Sequence, residues 1–230
     1  MNGDRILTPW LRLILALLLS GVAAFGSDFR AELGRLQSEL EGRPTDGSLL
    51  LKLGKLCHNE SALGQSDAKE TEKLASRYLV KLRELQPTNA FARALLGSTR
   101  TLGARHAFLP TTKLRMVREG LKEMDAAVED APEDPDVRFT RAANNVFLPD
   151  LFGRREKVIA DFVWLSEKVA AEPARFGDEF RQYVALYHGI AARRYGELDK
   201  ATRLWQSGLA INPGSKVAEL IRLEQTRKPS

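Results

Sequence analysis

Cysteine occurs once in 230 residues, histidine three times and methionine three times. Each scarcity excludes something. A single thiol, Cys57, cannot close an internal disulfide, so packing alone must hold the chain, even in an oxidising compartment. His58, His106 and His188 are scattered along the sequence, whereas metal ligands come closer together or in greater number. No metal or other cofactor is expected. The stretch "LLLKLGKLCHNE" sets Cys57 on the apolar stripe of Leu49, Leu50, Leu53 and Leu56, which predicts a packed, inert thiol over a nucleophile. A Gly-rich phosphate loop, a Gly-x-Ser-x-Gly elbow and a His-Glu-x-x-His pair are all missing. The acid run "EDAPEDPD" falls in a connector and reads as a solvated turn. The chain is therefore not expected to be an enzyme. Strand-like alternation of any length is missing too, so the expected class is all-α.

Charge of one sign is also in short supply. The 35 basic residues face 30 acidic ones. Residues 1–26 contain two of the basic residues and one acidic residue, so removing them leaves 33 against 29. The signs alternate along the helical stretches, whereas a nucleic-acid binder gathers cations on one face. Nucleic acid is not an expected partner. The start of the chain has its own pattern: Arg5 and Arg12, then the apolar run "LILALLLSGVAAF", then small residues. That order describes an export signal. Cleavage before Phe25 fits Val22-Ala23-Ala24, and cleavage before Ser27 fits Ala24-Phe25-Gly26. An uncleaved anchor is the alternative, although the run is shorter than the ~20 residues a spanning helix needs. After cleavage no stable membrane span is expected. The expected address is a bacterial periplasm. A secreted eukaryotic protein stays open, because Asn59-Glu60-Ser61 is a glycosylation triplet.

What the sequence has is a repeat. Pro closes a helix-like segment at Pro87, Pro132, Pro173 and Pro213, at intervals of 45, 41 and 40 residues. Proline suits the connector after a helix and not its interior. In the last unit, Phe180, Tyr183, Val184, Tyr187, Ile190 and Ala191 recur in steps that make one helical face. Gly196 makes a turn, and Leu198, Ala201, Trp205, Gly208 and Leu209 share one side of a second helix. Gly189, Gly196, Ala201, Trp205, Gly208 and Pro213 stand at offsets 0, 7, 12, 16, 19 and 24. Small residues there let two antiparallel helices approach, and the aromatic fills the gap between them.

This spacing resembles the tetratricopeptide repeat (TPR), over about 34 residues. It departs from that pattern at Ala192, where an aromatic is usual. Leu53-Gly54 and Leu96-Gly97 look like the Leu-Gly of the repeat's first helix, but both earlier units carry roughly ten extra residues between their helices. The resemblance implies a right-handed solenoid of about four helical hairpins in a single domain over residues 27–230. A helix at Asp28–Leu40 would cap the front, and "GSKVAELIRLEQ" would cap the back.

TPR-like domains commonly hold peptides or partner helices on their first helices. The resemblance thus implies a non-catalytic scaffold or adaptor of the cell envelope that binds a protein or peptide. The alternative is a small-molecule-binding accessory of an envelope transport system, its ligand held under the long inter-helix loops. The groove candidates are polar residues at one-face spacing: Arg138, Arg141 and Asn145, with Arg93 and Arg100 one unit earlier and Arg193 in the last. Such a set can accept a carboxylate through bidentate contacts. Finally, "FLP" occurs twice, at Phe108 and at Phe147, each time between the two helices of a unit. The repetition predicts one joint built twice, with Phe108, Leu109, Phe147, Leu148, Leu151 and Phe152 folded down to seal the hairpin tops.

Overall fold

A computed structural model describes residues 22–63 and 67–227, with side chains from residue 28. Residues 1–21 of the expected export signal lie outside these residues. Among the described residues ten α-helices follow one another: α1 (Val22–Gly42), α2 (Gly47–Leu63), α3 (Ala68–Leu85), α4 (Ala90–Gly103), α5 (Pro110–Asp130), α6 (Pro135–Asn145), α7 (Arg155–Ala171), α8 (Asp178–Arg194), α9 (Leu198–Ile211) and α10 (Lys216–Thr226). Among the described residues there is no strand, as the sequence predicts. No described helix is long and apolar enough to cross a membrane. The chain divides into two compact units, residues 1–140 and 141–230.

The helices begin where they do because of one short joint used four times. Pro44-Thr45-Asp46, Pro87-Thr88-Asn89, Pro132-Glu133-Asp134 and Pro213-Gly214-Ser215 each put a capping residue two positions after the proline. In all four, the cap's N–H bonds back to the carbonyl of the residue before the proline: Arg43, Gln86, Ala131 and Asn212. The cap's side-chain oxygen then accepts from the first-turn backbone, at 2.9 Å from Ala92 N to Asn89 and 3.0 Å from Ala218 N to Ser215. Asp46 takes the N–H groups of Ser48 and Leu49, and Asp134 those of Asp136 and Val137. Each cap satisfies N–H groups that would otherwise have no intrahelical partner. Pro173 departs from this form: a 3-10 turn, Pro173–Arg175, precedes α8, and Gly177 starts that helix without a side-chain cap.

In the first unit, α2 and α3 form a hairpin whose core is Leu49, Leu50, Leu53, Cys57, Ala75, Tyr78 and Leu82. The front helix covers it with Leu36, backed by Phe29, Leu33 and Leu40, the face expected of a cap. Cys57 is fully buried, and burial pushes its thiol up to about 12, which suits packing and not nucleophilic chemistry.

The α4–α5 hairpin closes even more tightly. A Cβ built on Gly97 would stand 2.7 Å from the Gly120 carbonyl oxygen, side chain against backbone. Gly97→Ala is therefore expected to cost about 1–3 kcal/mol through overpacking, despite alanine's better helix propensity. Urea unfolding followed by far-UV circular dichroism would show it, and an unchanged midpoint would contradict the close approach.

In the second unit, Trp205 fills the gap between α8 and α9, as its spacing predicts. Its indole N–H donates to the Leu186 carbonyl at 3.1 Å, and its ring lies so close to Gly189 that no side chain fits there. Gly208 has the same relation to Ile221 of α10 and to Ala185. With Leu186, Ala192, Ala201 and Val217, these residues form the unit's core. Gln182, buried in the same region, donates to the Gly208 and Asn212 carbonyls at 3.0 and 2.9 Å and ties the end of α9 to α8.

The two Phe-Leu-Pro segments are not the same joint. After α4 the chain makes a 3-10 turn, Ala104–His106. Leu109 is then extended, and Pro110 is the first residue of α5, where its fixed φ suits a helix start. Phe108 is 94% exposed and Leu109 55% exposed. The expected seal does not form here, because the extended approach carries both residues past the end of α5, and no described element covers them. The second segment leads into a 3-10 turn, Asp150–Phe152, and Gly153 at φ 61° turns the chain into α7. There Phe147 is 37% exposed and rests edge-on against Tyr187, with ring centroids 6.0 Å apart. Leu148 and Phe152 are half-buried, and Leu151 is 67% exposed. Sealing is thus partial in the second joint and missing in the first.

Candidate functional site

The six residues marked by the sequence all engage groups within their own units. In the first unit Arg93 of α4 reaches across the hairpin to Glu123 at 2.8 Å and Asp130 at 2.7 Å, both on α5. Glu123 also meets Arg83 of α3 at 3.2 Å. Although burial alone would raise it, the Arg93 hydrogen bond and nearby guanidinium charges hold the Glu123 carboxyl below its ordinary range. Arg100 approaches Glu119 at 4.0 Å, a loose pair. Arg138 donates to the Pro132 carbonyl at 2.5 Å and so braces the joint ahead of α6.

In the second unit Arg141 is buried and forms a two-pronged pair with Asp161 of α7, Nε to Oδ2 and Nη2 to Oδ1, both 2.8 Å. Asp161 is completely buried. One helical turn on, the buried Asn145 amide oxygen accepts from Nε and Nη2 of Arg154, each at 3.1 Å. Arg193 of α8 pairs with buried Glu224 of α10 and lies 5.1 Å from the centre of the Trp205 ring. Glu224 also takes Arg227 at 2.6 Å. Arg194 holds the second Phe-Leu-Pro joint in place. It donates to the carbonyls of Val146 and Leu148, the latter at 2.6 Å, and to Asp150 at 2.8 Å.

Two of the histidines, His58 and His188, are buried packing residues. His58 Nδ1 stands 3.0 Å from Thr99 Oγ1, whose own proton goes to the Leu95 carbonyl at 2.7 Å. Thr99 can therefore only accept, which fixes the proton on Nδ1 of a neutral ring. Burial, helped by Arg105, pushes the His58 imidazole down to about 4. His188 stacks on Phe162 at 5.7 Å and meets Ser166 Oγ at 2.7 Å. Burial holds it at about 4 as well.

Sequence reasoning counted Tyr183 and Tyr187 only as core positions. On α8 they are half-buried, 6.4 Å apart ring to ring, and Phe147 joins them. Phe180, one turn earlier, stacks on Phe176 at 5.6 Å. The result is a half-buried aromatic ladder on the first helix of the last hairpin, packed against the unit's core. Burial pushes the Tyr187 phenol up to about 12 and also raises that of Tyr183, so both hydroxyls are neutral donors at physiological pH. The signal was the Phe180, Tyr183, Tyr187 spacing itself, which fits a half-covered face as well as a covered one.

No family model matches the chain, and no curated protein matches it. Among solved structures, a thermophilic TPR protein from Thermus thermophilus superposes with a TM-score of 0.62 at 18% identity, over 95% of this chain and 98% of that one. The fold is TPR-like, an all-α arrangement of helical hairpins, as the repeat spacing predicts.

Proposed function

We propose that the protein is a non-catalytic scaffold of the cell envelope that binds a protein or peptide partner along the aromatic ladder of α8. The observation that carries this reading is the half-buried pair Tyr183 and Tyr187 on a first helix. Tyrosine offers a large apolar face with a hydroxyl at its rim, and such residues are enriched at protein contacts. A small-molecule site under the α4–α5 loop is less favoured. Arg105, the charged group there, is turned onto the Ser61 carbonyl and hydroxyl, the latter at 3.0 Å. The export pattern in residues 1–26 supports the envelope address.

The test is a photo-crosslinking residue at Tyr183, irradiated in intact cells, with exposed Arg203 as the control position. A discrete protein adduct is expected at 183 and not at 203. It should be recovered from the periplasmic fraction on a chain whose mass lacks residues 1–24 or 1–26. No adduct, or the same adduct at both positions, would sink the partner reading. A full-length mass would sink the cleavage.

A further inference from the structure

We infer that the top of the α4–α5 hairpin is a docking tip for an anionic lipid bilayer surface. Three observations meet there. First, Phe108 and Leu109 stand out from the end of α5, 94% and 55% exposed, on a backbone that is pinned at both sides. Ala107 N–H bonds to the Ala104 carbonyl at 3.3 Å, Lys113 N–H bonds to the Leu109 carbonyl at 3.0 Å, and Pro110 fixes the helix start between them. A tip held in this way keeps its apolar side chains in water, because it cannot fold them away.

Second, the sequence around the tip carries charge of one sign, the nearby carboxylate of Glu72 coming from α3. No Asp or Glu occurs between Glu84 and Glu119, a break in the alternation that holds elsewhere. Arg115, Arg118 and Lys122 stand at i, i+3 and i+7 on α5 and are all exposed. They form one cationic stripe, running roughly 8 to 18 Å from the helix start at 1.5 Å per residue. None of the three makes an ion pair among the described residues, and neighbouring Glu119 is turned to Arg100.

Third, the other Phe-Leu-Pro segment, identical in those three residues, is tied down by Tyr187 and Arg194. Exposure at the first is therefore a property of this hairpin and not of the motif.

The combination selects the occupant. An aromatic and a leucine seat in the interfacial layer of a bilayer, and with α5 lying along the surface its cationic stripe falls within a Debye length of anionic headgroups. A protein partner would have to supply a pocket for a ring that stands clear of its own chain. A bilayer needs none.

The experiment uses the chain as its host processes it, in sedimentation with vesicles of phosphatidylcholine alone or with 30% phosphatidylglycerol. Binding is expected only to the anionic vesicles, and it should weaken steeply from 50 to 300 mM NaCl. Phe108→Ser with Leu109→Ser is expected to weaken it at least tenfold. Arg115→Gln, Arg118→Gln and Lys122→Gln together should do the same and also flatten the salt dependence. All five side chains are exposed, so melting temperatures should be unchanged, and a tip variant that melts early is replaced by Phe108→Gln alone. Failure to bind anionic vesicles would overturn the proposal. So would binding indifferent to both variants, which would be adsorption by net charge. Capture by polyglutamate with none by vesicles would reassign the stripe to an acidic protein.

Discussion

Asp161→Ala is expected to destabilise the second unit by about 3–5 kcal/mol, the usual cost of leaving a buried charge without its partner. Arg141 and Asp161 are both buried and meet through two 2.8 Å bonds. Removing the carboxylate leaves a guanidinium in a site built to exclude water. The paired replacement Arg141→Met with Asp161→Leu removes both charges at similar volume, and it should recover most of that loss or exceed wild type. Urea denaturation of the three proteins decides the matter. A cost below about 1 kcal/mol for the single variant, the range of an exposed pair, would show that the pair is solvated in solution. So would a double variant as unstable as the single. A charge reversal at Arg141 would set two carboxylates together and would report on folding before it reported on any partner.

Acid should unfold the protein well before its carboxylates are all protonated. His58 and His188 both lie at about 4 in the folded chain, against an ordinary 6.5. Between those values the unfolded chain binds the extra proton and the folded one does not. Stability is therefore whole above pH 6.5 and declines as the pH falls towards 4. A pKa depressed this far amounts to roughly 3 kcal/mol per imidazole. Burial pushes Glu60, Glu72 and Asp136 the other way, so their protonation favours the fold and opposes the histidines. The comparison that isolates the imidazoles is His58→Gln with His188→Gln, measured by urea unfolding from pH 7.5 to 4.5. Wild type should lose several kcal/mol more than the variant across that range. Parallel curves would contradict the neutral, buried rings.

The contrast between these pairs and the sequence pattern explains what was legible. Prolines at near-even intervals, with Gly189, Ala201, Trp205 and Gly208 in register, are short-range signals, and short-range signals determine helical hairpins. The capping joint of Asp46, Asn89, Asp134 and Ser215 went unread, because Pro44 was not counted with the other prolines and Pro173, which lacks the joint, was. The partners of the basic residues were not legible either. Arg138, Arg141 and Asn145 make a stripe at i, i+3 and i+7, and such a stripe fits an open face or a face turned to the next helix equally well. The carboxylates that decide between them lie far along the chain. Asp161 is 20 residues from Arg141, Glu123 is 30 from Arg93, and Glu224 is 31 from Arg193. Periodicity carries no information over that distance. The Phe-Leu-Pro echo failed for a related reason: identical tripeptides took their exposure from what lay above them, Tyr187 in one case and nothing described in the other.

The repeated joint has a kinetic consequence. Each cap closes on a carbonyl three residues back and opens its helix within the next turn, so the starts of α2, α4, α6 and α10 are decided inside a span of seven residues or so. Loop closure on that scale takes on the order of 10–100 ns, and chains dominated by near-neighbour contacts fold in microseconds to milliseconds. A chain synthesised from its N-terminus at about 5–20 residues per second would in this way acquire its hairpins in order, each one complete before the next has arrived.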